Sequence, residues 1–377
     1  MKKILFILPN TQQGGAETQL LCLLRGLDKS EFDVYLGLLY ENEQLKKEFT
    51  SIKNVKTICF NKRGPWDVSV LFKIKRFIKK NEIEIVQTFL GNHYSFIPAL
   101  FSKNVIAIGG IRATEQPKNL GFLKRIMIFK LPKIISKYNK SILISNSFSG
   151  KKLFLEEGFP EELIEVIPNG IDFNRFSKGN KDKILKEFNL KNKFVFAMVS
   201  RLVEGKNHPE LIQVFNKLTE KRRNLVLLII GAGPEMDKLK QLVKELDLNT
   251  KVIFTGNRKD IPDFLAAVDI YLFPSRFPEG WPNAVGEAMA AGVPVITYQI
   301  GDVKQIIKSG YNGIITDNNM KSFYNATIEL MKSKNKMNLL GTNAQRTIGE
   351  NYSVDKMVKN YQKLYFRLLE TEKKNKI

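Results

Sequence analysis

With 377 residues the chain is too long for one ordinary core and fits two domains, and its 43% hydrophobic and 10% aromatic content excludes a disordered polymer. Its 60 Lys and Arg against 38 Asp and Glu give a net charge of +22, which calls for an acidic partner or a tolerant solvent. No apolar run approaches the roughly 18–20 residues of a membrane span, and the 2 cysteines, Cys22 and Cys59, exclude a disulfide framework or a cysteine metal cluster and fit a reducing cytoplasm.

The opening MKKILFILPN imitates a signal peptide. Its apolar run, Ile4 to Leu8, is shorter than the roughly 7–15 residues of such a core, so Lys3 to Leu8 is expected as a first strand. In the loop that follows, Gly14 and Gly15 open a helix from about Ala16 to Leu27. They can let backbone approach a phosphate or sugar, and a tight turn explains them equally well. Phe32 to Leu38, Val55 to Cys59, Ile83 to Gln87 and Val105 to Gly109 read as further strands with helices between most of them. This alternation predicts an α/β domain of the doubly wound type, whose ligands bind beyond the carboxyl ends of its strands. Two of its loops carry candidate polar residues: His93 in TFLGNHYS and Arg112 in GGIRATEQ.

Gln116 to Leu155 contains nine Lys and Arg and no acid. Interleaved with Phe122, Leu123, Ile126, Met127, Ile128, Phe129 and Leu131, these charges predict a basic amphipathic helix lying on anionic lipid. A solvated lysine face on a packed helix is the plainer alternative. No nucleic-acid module accompanies the charge, so nucleic acid is not expected as a partner. Ser141 to Ile144 is the next strand, with Ser145, Asn146 and Ser147 as N-cap residues, and the Pro168-Asn169-Gly170 turn ends the first half.

The alternation then begins again. Phe194 to Val199 leads into SRLVEGKNHPELI, where Arg201 and Lys206 can neutralise a pyrophosphate or simply pair with acids such as Glu204 or Glu210. Leu225 to Ile230 leads into GAGP, where Gly231 and Gly233 leave room for a nucleotide without forming a dinucleotide fingerprint. Val252 to Thr255 precedes GNRKDI with Arg258. The most informative stretch is Asp269 to Thr297. It reads as a strand (Ile270 to Phe273), a Pro- and Gly-rich loop, a helix (Asn283 to Ala291) stopped by Gly292, and a second strand (Val293 to Thr297). Asn283 is the expected N-cap, and the amides of Ala284 and Val285 are expected to face a bound anion. Glu279 and Glu287 bracket that helix end. A solvated loop charge and an ordinary polar helix face would account for such a pair as well.

The segment EGWPNAVGEAMAAGVPVI, with Glu, seven residues and Glu across loop and helix, resembles the signature of the retaining glycosyltransferases of family 4, the group 1 transferases. So do the Pro-Asn-Gly-Ile-Asp crossover, the Arg201 and Lys206 loop, and the Gly-Gly-Ala-Glu loop after the first strand. The resemblance implies a GT-B fold: two facing Rossmann-like domains with parallel sheets and an interdomain cleft. Domains are expected at 1–172 for the acceptor and 173–352 for the nucleotide sugar, with 353–377 packing back on the first. It implies a hexosyl transfer from a nucleotide-diphosphate sugar, UDP favoured, to an acceptor hydroxyl. A lipid-linked saccharide in surface polysaccharide synthesis is the expected acceptor, at the cytoplasmic face of a membrane. The donor set would be Gly14, Gly15, Arg201, Lys206, Gly231, Arg258, Glu279, Gly280, Asn283, Ala284, Val285 and Glu287, with the base held largely through backbone near Arg258. Glu279 would orient the sugar, Glu287 the ribose, and Arg201 and Lys206 the leaving diphosphate. Relatives often place a histidine in the loop after the fifth strand, where this chain has Arg112, so Arg112 and His93 are both candidates for the sugar-facing role. No metal or cofactor is expected. A GT-B epimerase and a non-catalytic scaffold are the rival classes. The first would alter the sugar without an acceptor, and the second would be indifferent to loss of Glu279 and Lys206.

Overall fold

A computed structural model describes residues 1–9, 14–40, 46–64, 66–102, 104–112, 125–136, 141–277 and 279–374. The chain divides into one unit formed by Met1–Gly170 with Val354–Ile377 and another formed by Ile171–Ser353.

Among the described residues, unit 1 is built on seven strands: β1 (Lys2–Leu8), β2 (Phe32–Leu38), β3 (Val55–Cys59), β4 (Ile85–Thr88), β5 (Ile106–Ile111), β6 (Ile142–Ser145) and β7 (Ile164–Val166). They pair in parallel in the order β3-β2-β1-β4-β5-β6-β7. The helices are α1 (Gly15–Gly26), α2 (Lys46–Thr50), α3 (Ser69–Asn81), α4 (His93–Leu100), α5 (Leu131–Ile135) and α6 (Phe148–Glu156), with a π-helical turn at Ile126–Lys130 just before α5. The strands are short apolar runs because both sheet faces are covered, as parallel sheets require. Val70, Ile74, Ile78, Phe96, Phe129, Ile135 and Phe154 pack on one face. Leu20, Leu23 and Leu24 of α1 pack on the other.

Unit 2 repeats the plan with β8 (Phe194–Val199), β9 (Leu225–Ile230), β10 (Val252–Gly256), β11 (Ile270–Phe273), β12 (Val295–Tyr298) and β13 (Ile314–Thr316). These are parallel in the order β10-β9-β8-β11-β12-β13. Its helices are α7 (Phe173–Phe176), α8 (Lys181–Glu187), α9 (His208–Lys221), α10 (Met236–Glu245), α11 (Ile261–Ala266), α12 (Asn283–Ala290), α13 (Val303–Ile306), α14 (Met320–Met331) and α15 (Lys334–Asn351). The last helix, α16 (Val354–Lys374), returns to unit 1, where Met357, Val358, Tyr361 and Tyr365 join the core beside α1.

Each sheet therefore reverses its order once. The reversal lies between β1 and β4 in unit 1 and between β8 and β11 in unit 2. Open α/β sheets hold ligands beyond the carboxyl ends of the strands at such a point. The loops at these two points carry Gly14 and His93 in unit 1, and Arg201, Lys206 and Glu279 in unit 2.

Candidate active site

In unit 2 the loop after β8 and the loop after β11 are stitched together by backbone. The amides of Arg276 and Phe277 both donate to the Gly205 carbonyl, each at 2.9 Å. The side chains above the stitch follow from it: Lys206 forms an ion pair with Glu279, both mostly buried at 15% and 16% exposure. The Lys206 ammonium also lies 5.4 Å from the Phe273 ring centre. Glu279 is fixed from its other side as well, since its carbonyl accepts from the Asp302 amide at 3.2 Å. Gly301 makes that approach feasible. Its φ is +43°, and a Cβ there would lie 1.6 Å from the Glu279 carbonyl oxygen. Arg201 is exposed and makes no side-chain hydrogen bond or ion pair among the described residues, so its charge is available to a ligand.

Glu210, in the first turn of α9 and 8% exposed, holds this arrangement together. Its carboxylate accepts from Asn207 Nδ2 at 2.7 Å, from Arg276 Nη2 at 2.6 Å and from the Tyr298 hydroxyl. Asn207 Nδ2 also donates to the Pro274 carbonyl at 3.1 Å. One buried carboxylate thus ties together the loop bearing Lys206, the loop leading to Glu279 and the end of β12. Burial, then the bond to Glu210, holds the Tyr298 hydroxyl well above its ordinary range. Nearby, the buried His208 ring has Nε2 2.9 Å from Ser200 Oγ. Burial first and Lys206 second push its pKa down to about 4, so it is neutral at pH 7.

Helix α12 begins differently from the sequence expectation. The N-cap is Pro282, and Asn283 is the first helical residue. The Pro282 carbonyl accepts from Val285 N at 3.0 Å and from Gly286 N at 3.2 Å. Val285 N–H is therefore spent on the helix's own first turn and does not face a ligand. The Ala284 amide has no partner among the described residues and keeps the free N–H and dipole end that an anion needs. One turn inside, the half-buried Glu287 carboxylate has no hydrogen-bond or ion-pair partner among the described residues. Burial pushes its pKa up to about 7, with Arg175 pulling weakly the other way. The Tyr271 hydroxyl, bonded to the Val199 backbone, is raised mainly by burial and further by both Glu287 and Glu279. Both carboxylates thus act on one region at the sheet's carboxyl edge.

Two other expected donor contacts have local structural explanations. Gly231, at φ +137°, and Gly233 would place a Cβ 1.9 Å from the Ser200 carbonyl and 2.3 Å from the Leu202 carbonyl. The space these glycines provide is filled by the loop after β8, which they allow to close on the turn after β9. The Arg258 guanidinium is occupied by Glu187 at 2.9 and 3.1 Å and by Asp260 at 2.9 Å, and it stacks 5.0 Å over Phe264. The Arg258 guanidinium is thus committed to contacts within unit 2. Gly280 lies in the loop between Glu279 and Trp281, whose buried indole N–H has no acceptor among the described residues.

Residues 180–347 match the model described as "Glycosyl transferases group 1", and residues 13–175 match "Glycosyltransferase Family 4". The chain belongs to the group 1, family 4 glycosyltransferases. This glycosyltransferase is 26% identical over 382 residues to an Escherichia coli UDP-Gal:alpha-D-GlcNAc-diphosphoundecaprenol alpha-1,3-galactosyltransferase, covering 94% of this chain and 97% of the relative. It is 27% identical over 220 residues to the Bacillus anthracis N-acetyl-alpha-D-glucosaminyl L-malate synthase, covering 58% of this chain and 57% of that one. Its fold is that of Anabaena HepE, solved in complex with UDP, with a TM-score of 0.82 at 21% identity over 97% of this chain and 100% of the other. That likeness establishes two parallel-sheet Rossmann-like domains of the GT-B class.

In unit 1 of the glycosyltransferase, the two candidates for a sugar-facing residue have different surroundings. Arg112 leaves β5 and donates to Asn169 Oδ1 at 3.1 Å and to the Tyr361 hydroxyl at 3.4 Å, with its guanidinium 4.5 Å over Phe89. It clasps the exit of the chain at Asn169 to α16. His93 is the first residue of α4, with its ring 4.0 Å from that of Tyr94. Burial, then Lys62, pushes its pKa down to about 4. Gly14 is the extended N-cap of α1 and Gly15 its first residue. The buried Glu17 carboxylate folds back so that an oxygen lies 2.4 Å from where a Gly14 Cβ would be. The N-terminus of α1 is thus already covered by a carboxylate of its own chain. The expected lipid-facing stretch falls only partly on described residues: 116–124 and 137–140 lie outside them. Of Gln116 to Leu155, Ile126–Lys130 form the π-helical turn and Leu131–Ile135 form α5.

Proposed function

We propose that this glycosyltransferase moves a hexosyl group, with retention at the anomeric carbon, from a nucleotide-diphosphate sugar to a hydroxyl of a lipid-linked saccharide. UDP is the favoured nucleotide, and a membrane face in cell-surface polysaccharide synthesis is the proposed setting. The observation that carries this reading is the Glu287 carboxylate, without a hydrogen-bond or ion-pair partner among the described residues, one turn inside a helix whose Ala284 amide is likewise open among them. A diphosphate on that amide brings the ribose diol to a carboxylate that otherwise lacks hydrogen-bond donors. Arg201 and Lys206 then face the diphosphate, and Glu279 is released from Lys206 to orient the sugar hydroxyls.

In this mechanism the chain's cations and helix end stabilise charge as it develops on the departing diphosphate. A diphosphate oxygen takes the proton of the attacking hydroxyl on the same sugar face, which accounts for retention without a protein base. The positive charge supplied by Arg201, Lys206 and the helix dipole makes the proposed reaction metal-independent. The names of the Escherichia coli relative and of the UDP and UDP-glucose complexes of HepE support the donor class, and the former supports a lipid diphosphate acceptor. Among the described residues no helix is long and apolar enough to cross a membrane, and peripheral residence on a cytoplasmic face is the matching location.

Calorimetry with a panel of nucleotide diphosphates and their sugars tests the reading. Micromolar binding of one nucleotide, weakened by both Lys206→Ala and Glu287→Ala, is expected. Absence of any nucleotide binding in the folded protein sinks it.

A further inference from the structure

The layer of helices over one face of the unit 1 sheet presents apolar side chains to solvent. Trp66 is 88% exposed, Phe72 70% and Phe101 62%, and Val68 and Ile134 are exposed beside them. Single exposed apolar residues are ordinary, but a cluster of large aromatics on adjoining elements marks a binding surface. The helices that carry Phe72, Phe101 and Ile134 adjoin. Lys75 of α3 lies 5.2 Å over the Phe101 ring at the end of α4, and α4 packs between α3 and α5, which carries Ile134.

Basic side chains outnumber acidic ones on this layer. Helix α3 buries Val70, Ile74 and Ile78 and contains Lys73, Lys75, Arg76, Lys79 and Lys80 with no acid. At 3.6 residues per turn Phe72, Arg76, Lys79 and Lys80 share the outward side. Residues 125–136 are acid-free as well. The nearby acids are engaged: Asp67 accepts from the amides of Arg63 and Ser69, and Glu157 pairs with Arg125. Glu82 pairs with Lys3, and Glu84 lies within 3.9 Å of Lys2.

Exposed Trp and Phe ringed by Lys and Arg match the two components of an anionic bilayer, an apolar interior beneath a negative surface. Long lysine stems can run along the aromatics while their ammonium groups reach the headgroups. We infer that the α3–α4–α5 face of unit 1, centred on Trp66, Phe72 and Phe101, docks the enzyme on a bilayer containing anionic phospholipid. This rests on the reading that the acceptor is lipid-linked. It places the centre of docking on α3, with α5 belonging to the basic segment that the sequence pointed to.

The test does not use activity. The chain has 2 tryptophans, and Trp281 is buried against Tyr352. Trp281→Phe leaves Trp66 as the reporter. With phosphatidylglycerol–phosphatidylcholine vesicles its emission is expected to shift to the blue and to be quenched by brominated acyl chains, and phosphatidylcholine alone should give neither. Vesicle affinity is expected to fall at least about 10-fold in Arg76→Gln/Lys79→Gln/Lys80→Gln and in Trp66→Ser/Phe72→Ser. Nucleotide-sugar binding should stay unchanged in both. Unmoved Trp66 emission, or variants that bind vesicles as tightly as wild type, overturns the inference and leaves an acidic protein as the occupant. Vesicle binding without nucleotide binding would fault the transferase reading alone.

Discussion

The titration of Glu287 gives the sharpest check on the donor site. Its folded pKa is pushed up to about 7 by burial, so the ionised fraction rises from roughly 0.1 at pH 6 to roughly 0.9 at pH 8. A ribose diol donates hydrogen bonds, and the ionised carboxylate is the better acceptor. If only that form binds, donor affinity increases about 10-fold between pH 6 and pH 8. Binding at pH 7 then releases roughly half a proton. Both histidines titrate near 4 and stay silent in this window. The assay is calorimetry with an intact nucleotide-diphosphate sugar, whose diester phosphates do not titrate here, in two buffers of different ionisation enthalpy. Glu287→Gln should abolish both the pH slope and the proton release. The same shift bears on stability. The native state holds this proton longer than the unfolded chain, so stability falls as pH rises from about 4.5 to about 7. Glu287→Gln is therefore expected to be more stable at pH 8 by about 1–2 kcal/mol, after discounting for partial exposure. A flat pH profile for wild type, or an equal slope in Glu287→Gln, refutes the reasoning.

Lys206→Ala removes one charge-assisted partner of the diphosphate and should weaken donor binding by about 2 kcal/mol, roughly 30-fold, in the same calorimetry. Glu210→Ala leaves three donors without their acceptor and is expected to cost about 2–4 kcal/mol in urea unfolding, with kcat reduced because the two loops lose their common anchor. Gly301→Ala meets both a positive φ and the Glu279 carbonyl, so a loss of at least about 2 kcal/mol is expected from thermal melting, together with weaker donor binding. Arg112→Lys should lower the stability of unit 1 by about 1–2 kcal/mol while leaving the donor Kd unchanged, because its contacts are to Asn169, Tyr361 and Phe89.

What the sequence made legible follows from how each feature is encoded. Strands covered on both faces are written as short apolar runs, so Phe32–Leu38, Phe194–Val199 and Ile270–Phe273 are readable to the residue. The run at Val293 misleads at its start. Val293 N donates to the Ala288 carbonyl to close helix α12, Pro294 has no N–H, and the ladder begins at Val295. The helix start at Asn283 is readable, but its cap is not, because a proline carbonyl does the work expected of a side chain. Lys206 and Glu279 stand out in sequence only through their motif. Glu210 has no periodicity or spacing to mark it, since two of its three partners, Arg276 and Tyr298, come from distant segments. Phe72 is likewise hidden, because an outward aromatic and an inward one look the same until the helix is seated. Arg112 sits at the expected position, but its environment depends on α16, more than two hundred residues away.

Unit 2 begins and ends at one place: Ile171 N donates to the Tyr352 carbonyl at 2.8 Å, and Ile171 bridges to Ser353. A segment whose two ends meet can be removed or replaced without stretching what remains, as in tolerated domain insertions. Residues 171–353 therefore form a transplantable cassette. Under the proposed function, exchanging this segment between relatives is expected to give chimeras in which nucleotide-sugar choice travels with the insert while the host retains its own acceptor.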